Sequence, residues 1–262
     1  MTVSAEPAQL PGGTTVLVEI ADRIAWVTMN RPEKRNAINP TMSFEMLDVF
    51  DALESDERCG VVVLTGAGDA YSSGMDLREY FRATDKLSYD ERMKIMRRSA
   101  TAQWKRLQFY GKPTIAMVNG WCFGGAFNSL IACDLAIAAE DAAFGLSEIN
   151  WGIIPAGTVT KAVASVMGQR DCMYYIMTGE TFDGRKPQPW DSSTRPCPSP
   201  RYARAWRNSP RRCSRKIRWR CASPNTRRGV CTICRGKTPR IICSPSSISS
   251  VSSTRKRAAK KA

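Results

Sequence analysis

The 262-residue sequence contains no histidine, and its ten cysteines follow no regular spacing. Cys231 and Cys234 resemble half of a zinc site, but the nearest upstream cysteines, Cys213 and Cys221, are irregularly placed. Structural zinc sites use Cys and His ligands at characteristic separations. The sequence therefore argues against a bound metal.

Targeting and membrane segments are also missing from the sequence. The N-terminus has no basic start followed by an apolar run, so we expect no secretory signal peptide. No apolar run is long enough to cross a bilayer. Cys59, Cys122, Cys133 and Cys172 lack paired spacing and are predicted to be reduced, buried thiols. These observations predict a cytoplasmic protein.

Acidic residues are almost absent from the last 76 residues. Residues 1–186 contain 19 Lys and Arg and 23 Asp and Glu, whereas residues 187–262 contain 20 Lys and Arg and the single acid Asp191. Hydrophobic periodicity also ends near residue 186. We therefore expect a flexible N-terminus (1–13), a body (14–186) that can bury one core, and a basic tail (187–262).

The tail has two interpretations. It is either a disordered basic arm that binds nucleic acid or the product of a shifted reading frame. In the shifted frame, the third base of each codon is read together with the first two bases of the next codon. The only codon for Trp190 ends in G and every codon for Asp191 begins with GA, so the shifted codon GGA must encode glycine. Permitted codons elsewhere give shifted peptides with helical periodicity and balanced charge, both of which the written tail lacks. We favour the shifted frame and expect a disordered tail and no nucleic-acid partner.

The body alternates short strands with amphipathic helices, which predicts a layered α/β domain. The predicted strands are 16–19 and 24–29, which form a hairpin around Ala21 and Asp22, followed by 60–64, 114–118 and 135–138. The predicted helices are 41–53, 89–109, 126–133, 159–167 and 170–178.

Gly124 and Gly125 stand between an apolar strand and a helix of small residues. A helix start leaves backbone N–H groups unpaired, and glycine leaves them open to an approaching oxygen. This pattern predicts an oxyanion hole, with Glu148 as a candidate acid/base. The alternatives are that the glycines only permit close helix packing and that Glu148 is a solvated loop carboxylate.

Four motifs occur in the order that is typical of one superfamily. They are Asn30–Ala37 (NRPEKRNA), Ser73–Leu77 (SGMDL), Asn119–Gly125 (NGWCFGG) and Ser147–Gly152 (SEINWG). Over residues 14–186 they resemble the crotonase (enoyl-CoA hydratase/isomerase) superfamily and are most similar to its hydroxycinnamoyl-CoA (feruloyl-CoA) hydratase-lyases. The resemblance implies a ββα spiral core, and the written tail lacks the C-terminal helices that complete it in the family.

The resemblance also implies a site for an acyl-CoA thioester. The N–H groups of Met75 and Gly125 would form the oxyanion hole, Glu148 would be the base and acid, and Tyr80 would bind the substrate phenol. The remaining candidates would bind CoA or line the acyl pocket: Lys34, Ser73, Leu77, Asn128, Ser147 and Trp151. A half-buried tyrosine, a solvated lysine and a core tryptophan remain alternatives for Tyr80, Lys34 and Trp151.

Position 128 separates two activities within the superfamily. Ordinary hydratases carry a second glutamate there, whereas the hydratase-lyases usually carry serine, and this chain has Asn128. Asn128 or Ser129 is expected to hold the water. The resemblance favours a lyase that cleaves feruloyl-CoA to vanillin and acetyl-CoA, with a simple enoyl-CoA hydratase/isomerase as the rival. It implies no cofactor besides the substrate's coenzyme A, and a trimer or hexamer that this tail would not support.

Overall fold

The computed structural model describes residues 11, 13–184, 194–197, 233–234 and 240–241. The chain divides into two compact units, Met1–Arg215 and Lys216–Ala262. The predicted body and one additional strand belong to the first unit, which carries all of the candidate site residues.

A six-stranded sheet forms the centre of the first unit. Its strands, in spatial order, are β1 (Val16–Ala21), β2 (Ile24–Met29), β3 (Val61–Gly66), β5 (Thr114–Val118), β7 (Leu135–Ala139) and β10 (Thr194–Cys197). Strand β1 pairs with β2 in antiparallel fashion, and every other neighbouring pair of this sheet is parallel.

The predicted hairpin is present, but its turn lies one residue later than expected. Asp22 and Arg23 both have positive φ, at 52° and 65°, and join β1 directly to β2. Two left-handed residues are what a two-residue hairpin turn requires, because their twist matches that of the strands.

A second sheet of four short strands was not predicted. Its order is β4-β6-β8-β9, with β4, β6 and β8 parallel and β9 antiparallel to β8. The strands are β4 (Ala70–Ser72), β6 (Trp121–Phe123), β8 (Ala143–Gly145) and β9 (Thr181–Asp183). Three residues are too few to show an alternating pattern, so these strands could not be predicted from local periodicity.

The chain alternates regularly between the two sheets. Strands β3, β5 and β7 of the first sheet are each followed by β4, β6 and β8 of the second, and helical segments come between these pairs. This succession is the ββα spiral that the sequence predicts. The helices are α1 (Pro40–Ser55), α2 (Tyr89–Ala100), α3 (Arg106–Gln108), α4 (Ala126–Ala132), α5 (Val159–Val166) and α6 (Gln169–Thr178).

Irregular helical turns complete the described chain. The predicted helix 89–109 is continuous, but between α2 and α3 it passes through a π-helical turn, Thr101–Lys105. Another π-helical turn, Leu77–Arg82, follows the second motif. Turns of 3-10 helix occur at Pro32–Lys34, Thr84–Lys86 and Ser147–Trp151.

The corners between the sheets are fixed by the half-buried side-chain amide of Asn119. Asn119 Nδ2 donates to the carbonyls of Gly66 and Gly68, both at 2.9 Å, and so ties the β5–β6 corner to the β3–β4 corner. A methyl group at Gly120 would lie 1.8 Å from Asp69 O, so only glycine permits this approach. The Asn119-Gly120 pair therefore sets the spacing of the loops that follow.

The tail is expected to lack regular elements, yet three short strands lie within its described residues. In the first unit, β10 is the edge strand beside β7, a position that tolerates the missing N–H of Pro196. In the second unit, β11 (Ile233–Cys234) pairs with β12 (Arg240–Ile241) in antiparallel fashion. The expectations for residues 1–10 and for the rest of the tail lie outside the described residues.

None of the helices described is long and apolar enough to cross a membrane. No group of three or more His, Cys, Asp or Glu side chains in the described ranges could hold a metal ion. Cys59, Cys122, Cys133 and Cys172 are all buried, as the sequence predicts.

Candidate active site

Three candidate catalytic residues follow three neighbouring strands of the second sheet. Met75 comes after β4, Gly125 after β6 and Glu148 after β8. Because these strands are parallel and adjacent, their carboxyl ends lie at the same edge of the sheet. The sheet therefore brings together segments that are far apart in the sequence.

The Met75 and Gly125 amide nitrogens lie close together at this edge. A methyl group added to Gly125 would lie 3.3 Å from the Met75 nitrogen and 2.8 Å from Met75 Cγ, and one added to Gly74 would lie 3.0 Å from the Gly125 nitrogen. Within residues 13–184, neither amide donates a hydrogen bond to a protein acceptor. Two neighbouring amide N–H groups without protein acceptors can both donate to one oxygen atom of a ligand.

Glu148 lies beside these donors. A methyl group on Gly124 would approach Glu148 Oε1 to 2.9 Å, and Gly124 has a φ of 48°, which a side chain would strain. The Gly124 amide donates to Gly145 O at 3.0 Å and so holds the β8 end against the glycine turn. The hydrogen bond from Gly124 to Gly145 therefore helps to position both Gly125 and Glu148.

The Glu148 carboxylate is poorly solvated. Its Oε2 atom is buried and has no hydrogen-bond partner among the described residues. Burial raises the pKa of Glu148, although a bond to its own backbone amide offsets part of the effect. A carboxylate with a raised pKa and one oxygen without a hydrogen-bond partner is suited to exchange a proton with a bound molecule.

Asn128 lies on α4, about one turn beyond Gly125. Its amide nitrogen donates to Gly125 O at 3.2 Å, and its side-chain Oδ1 accepts a hydrogen bond from Thr158 Oγ1 at 2.8 Å. This bond occupies the side chain's oxygen and leaves its NH₂ group as the available donor. The neighbouring Ser129 is buried and bonds to Tyr71 at 3.1 Å between the hydroxyl oxygens.

Tyr80 lies in the Leu77–Arg82 turn and is buried. Its ring packs edge to face on Phe81, with ring centres 5.2 Å apart. Burial raises the pKa of the phenol, and the Ser99 hydroxyl partly offsets that rise. Ser99 Oγ is itself buried and has no partner of hydrogen-bonding geometry in the described part of the chain. The surroundings of Tyr80 therefore include the buried hydroxyl of Ser99.

Lys34 is half-exposed and is paired with acidic side chains. Its ammonium contacts Glu79, and it lies 3.9 Å from Asp76 Oδ2. Hydrogen bonds from Lys34 and Asn39 lower the pKa of Glu79 to about 2. Ser73 adjoins this group, because its hydroxyl donates to Lys34 O at 3.2 Å. An anionic ligand would have to compete with Glu79 for Lys34.

The other three predicted lining residues lie at the periphery. Leu77 begins the turn that carries Tyr80 and is 46% exposed. Ser147 is half-buried at the start of the Glu148 turn. Trp151 ends that turn and is 68% exposed, so the alternative that it is a core residue is wrong.

Four residues of this region escaped the sequence analysis. Arg31 and Asp76 form a buried ion pair at 3.0 Å, Thr158 fixes Asn128, and Ser99 faces Tyr80. Arg31 and Asp76 lie within the quoted motifs, which was the available signal. Thr158 and Ser99 are 30 and 19 positions from their partners, and nothing in the sequence links them.

Comparisons with known proteins agree with this architecture. The sequence profile of the enoyl-CoA hydratase/isomerase family matches residues 19–209. A hydroxycinnamoyl-CoA hydratase-lyase of Pseudomonas fluorescens is 60% identical over 172 residues, which are 66% of this chain and 62% of that protein. A 2,3-dehydroadipyl-CoA hydratase of Escherichia coli K12 is 29% identical over 173 residues, 66% of this chain and 65% of that protein.

Solved structures give the same result for the fold. An enoyl-CoA hydratase of Shewanella pealeana superposes with a TM-score of 0.62 at 28% identity and covers 80% of both chains. The chain spans slightly less than two thirds of the length of the curated relatives it matches. On the profile match, the spiral fold and these likenesses, the chain belongs to the enoyl-CoA hydratase/isomerase (crotonase) family.

Proposed function

We propose that this chain is a hydroxycinnamoyl-CoA hydratase-lyase, which hydrates a 4-hydroxycinnamoyl-CoA thioester such as feruloyl-CoA and cleaves the product to an aromatic aldehyde and acetyl-CoA. One observation carries the proposal: the Glu148 carboxylate lies beside two convergent, unpaired amides, and position 128 offers an amide instead of a second carboxylate. The similarity to the Pseudomonas fluorescens hydratase-lyase supports the same choice.

Hydration needs one base and one oxyanion hole. Glu148 accepts a proton from water, whose oxygen bonds to the β-carbon of the enoyl thioester. The Met75 and Gly125 amides hold the thioester oxygen as it gains negative charge, and each such donor is typically worth roughly 10²–10³ in rate. Glu148 then returns the proton to the α-carbon, which completes the addition of water.

Cleavage uses the same groups in a second cycle. Glu148 removes the proton of the β-hydroxyl, the Cα–Cβ bond breaks, and its electron pair forms the enolate of acetyl-CoA. The carbonyl of the aldehyde forms from the former hydroxyl oxygen. The enolate oxygen occupies the same hole, and Glu148 protonates the α-carbon to release acetyl-CoA. Both steps are acid/base chemistry at an enolate, so we propose no metal or redox cofactor.

The substrate's aromatic ring is assigned to Tyr80. A para-hydroxyl donates electron density toward the β-carbon, and it does so more strongly when its proton is hydrogen-bonded to an acceptor. The Tyr80 phenol is buried and has a raised pKa, so it stays neutral at neutral pH, and its oxygen can accept a hydrogen bond from the substrate hydroxyl. Lys34 is proposed to contact the coenzyme A part, and Ser73, Leu77, Ser147 and Trp151 the thioester and acyl part. The remaining proposals are a cytoplasmic location, no nucleic-acid partner, and a trimer or hexamer that forms only when the tail is replaced by the family's C-terminal helices.

The product profile tests the proposal. The purified full chain is incubated with feruloyl-CoA, and vanillin and acetyl-CoA are measured by chromatography. A protein with the restored reading frame is assayed in parallel. Formation of both products in equal amounts by either protein supports the lyase. A simple hydratase would hydrate crotonyl-CoA and leave feruloyl-CoA uncleaved. Salt-dependent retention of DNA without either activity would favour the basic-arm interpretation.

A further inference from the structure

The peptide group between Gly74 and Met75, which carries the Met75 N–H, is held in place by hydrogen bonds with Ile38. Ile38 N donates to Gly74 O at 2.7 Å, and Asp76 N donates to Ile38 O at 2.9 Å. A trans peptide is planar, with its C=O and N–H pointing in opposite directions. Because Gly74 O is fixed on Ile38, the Met75 N–H points away from Ile38, toward the side where Gly125 lies.

Arg31 joins the two segments that make this contact. A single guanidinium nitrogen, Nη1, donates to Ala37 O at 2.7 Å and to Asp76 Oδ2 at 3.0 Å. Ala37 precedes Ile38, and Asp76 follows Met75. The side chains of Arg31 and Asp76 are only 8% and 7% exposed, so water does not substitute for these bonds. The guanidinium thus bridges Ala37 and Asp76, which are the sequence neighbours of Ile38 and Met75.

Both ends of the bridge are held firmly. The Arg31 amide donates to Asn36 Oδ1 at 2.9 Å, and Asn36 N donates to Arg31 O at 2.8 Å. The second oxygen of Asp76, Oδ1, accepts from the amides of Arg78 and Glu79 at 3.0 and 2.8 Å. The Asp76 carboxylate therefore also caps the turn that carries Tyr80.

We infer that Arg31 is a positioning residue for the Met75 amide, and that through Ala37 and Asp76 it sets the direction of one of the two oxyanion donors. The inference rests on the proposed function. The Met75 amide interacts more weakly with the neutral thioester carbonyl than with the enolate oxygen, which carries negative charge. Loss of Arg31 therefore acts on the enolate stage, where the alignment of a donor matters most, and much less on substrate binding.

Steady-state kinetics give the first test. In Arg31→Met, we expect kcat for the hydroxycinnamoyl thioester to fall roughly 10- to 100-fold, with KM changed less than about threefold, because a misaligned donor loses part of its effect. Arg98→Met removes a distant arginine bonded to Asp48 and should change neither constant. Rates are expressed per folded protein. An unchanged kcat, or a loss confined to KM, would overturn the inference.

Arg31→Lys keeps the test decisive if Arg31→Met does not fold. Lysine retains the charge opposite Asp76 but cannot reproduce the planar guanidinium that reaches Ala37 O, Asp76 and Glu79 together. We expect a folded protein whose kcat is reduced roughly 3- to 10-fold, less than in Arg31→Met. Full activity in the lysine variant would contradict the inference, because it would show that charge alone is needed.

Absorption of the bound thioester provides a readout that is independent of turnover. In a Glu148→Gln background, polarisation of the thioester carbonyl by the two amides should shift the absorption of 4-hydroxycinnamoyl-CoA to longer wavelength. Adding Arg31→Met should reduce this shift at saturating protein, and adding Arg98→Met should not. An equal shift with and without Arg31 would overturn the positioning role alone. Failure of the Glu148→Gln protein to bind the thioester would overturn the proposed function and, with it, this inference.

Discussion

The Glu148 carboxylate lies against the Cα of Gly124, so close that a methyl group there would stand 2.9 Å from Oε1. The contact joins the end of β8 to the end of β6, and Gly125, the next residue, lies against Met75. The proposed base and the two proposed oxyanion donors are thereby brought together without any direct bond between them.

Replacing Glu148 with glutamine should abolish both hydration and cleavage. The amide keeps the shape of the side chain but cannot accept a proton, and acid/base groups usually contribute roughly 10²–10⁴ in rate. Turnover of feruloyl-CoA is measured for Glu148→Gln and for Glu57→Gln, which changes an exposed glutamate in a surface turn. Retention of more than about a tenth of the activity in Glu148→Gln would exclude Glu148 as the base.

The same substitution should raise the melting temperature at neutral pH. Burial raises the pKa of Glu148, so its charged form is disfavoured in the folded state. This cost is present above the folded-state pKa and disappears as pH falls below the unfolded-state value. The gain in melting temperature of Glu148→Gln over the unmodified chain should therefore shrink on acidification. A gain that is independent of pH would show that the carboxylate charge is not its cause.

The pH profile of kcat/KM should report the same group. Glu148 is active as the carboxylate, so activity should fall as the pH drops through its pKa. Because burial raises that pKa, the acidic limb should lie above the range of an exposed glutamate. Initial rates are measured at low substrate across the stability range of the protein. A limb at the ordinary glutamate value would indicate a solvated carboxylate at position 148.

Gly125→Ala should inactivate the protein by filling the oxyanion hole. The added methyl would lie 2.8 Å from Met75 Cγ and 3.3 Å from the Met75 nitrogen, in the space between the two donors. We expect kcat/KM to fall by at least the roughly 10²–10³ associated with one donor. Gly168→Ala is a suitable control, since the nearest atom to its methyl is Asp171 Oδ2 at 3.2 Å. Equal activity of the two variants would remove Gly125 from the hole.

Tyr80→Phe should discriminate between substrates. Loss of the hydroxyl removes a hydrogen bond that only a phenolic substrate can form, so feruloyl-CoA turnover should fall far more than crotonyl-CoA hydration. Tyr89→Phe, which alters a 75% exposed tyrosine, is the matched control. Comparable losses on both substrates would make Tyr80 a packing residue, consistent with its contact with Phe81.

The nucleotide sequence around codons 186–189 tests the origin of the tail. We expect a single frame change there to replace residues 187–262 with helical segments and to remove most tail cysteines and arginines together. Apolar side chains such as Trp151 and Ile154, 68% and 72% exposed here, would then have a candidate cover, so the restored protein should aggregate less in light scattering. Codons incompatible with the shifted peptides would refute the frame change.

Much of the fold could be predicted from local pattern. The strands 24–29 and 114–118 were predicted with the bounds that the structure gives them, and helix α1 was found to within two residues at its C-terminal end. Buried strands and amphipathic helices of this length carry their periodicity in the sequence itself. The glycine turn was also recognised from local sequence, since a glycine pair before a helix permits a backbone conformation that other residues would strain.

The second sheet is the part that only the tertiary structure decided. Strands β4, β6 and β8 are three residues long, and their pairing depends on corners such as the one tied by Asn119 rather than on their own composition. That sheet places Met75, Gly125 and Glu148 at one edge. The sequence by itself pointed to the residues that we propose carry the chemistry. Their proximity was decided by long-range strand pairing, because no local pattern encodes contacts such as the Ala70–Trp121 pairing of β4 with β6.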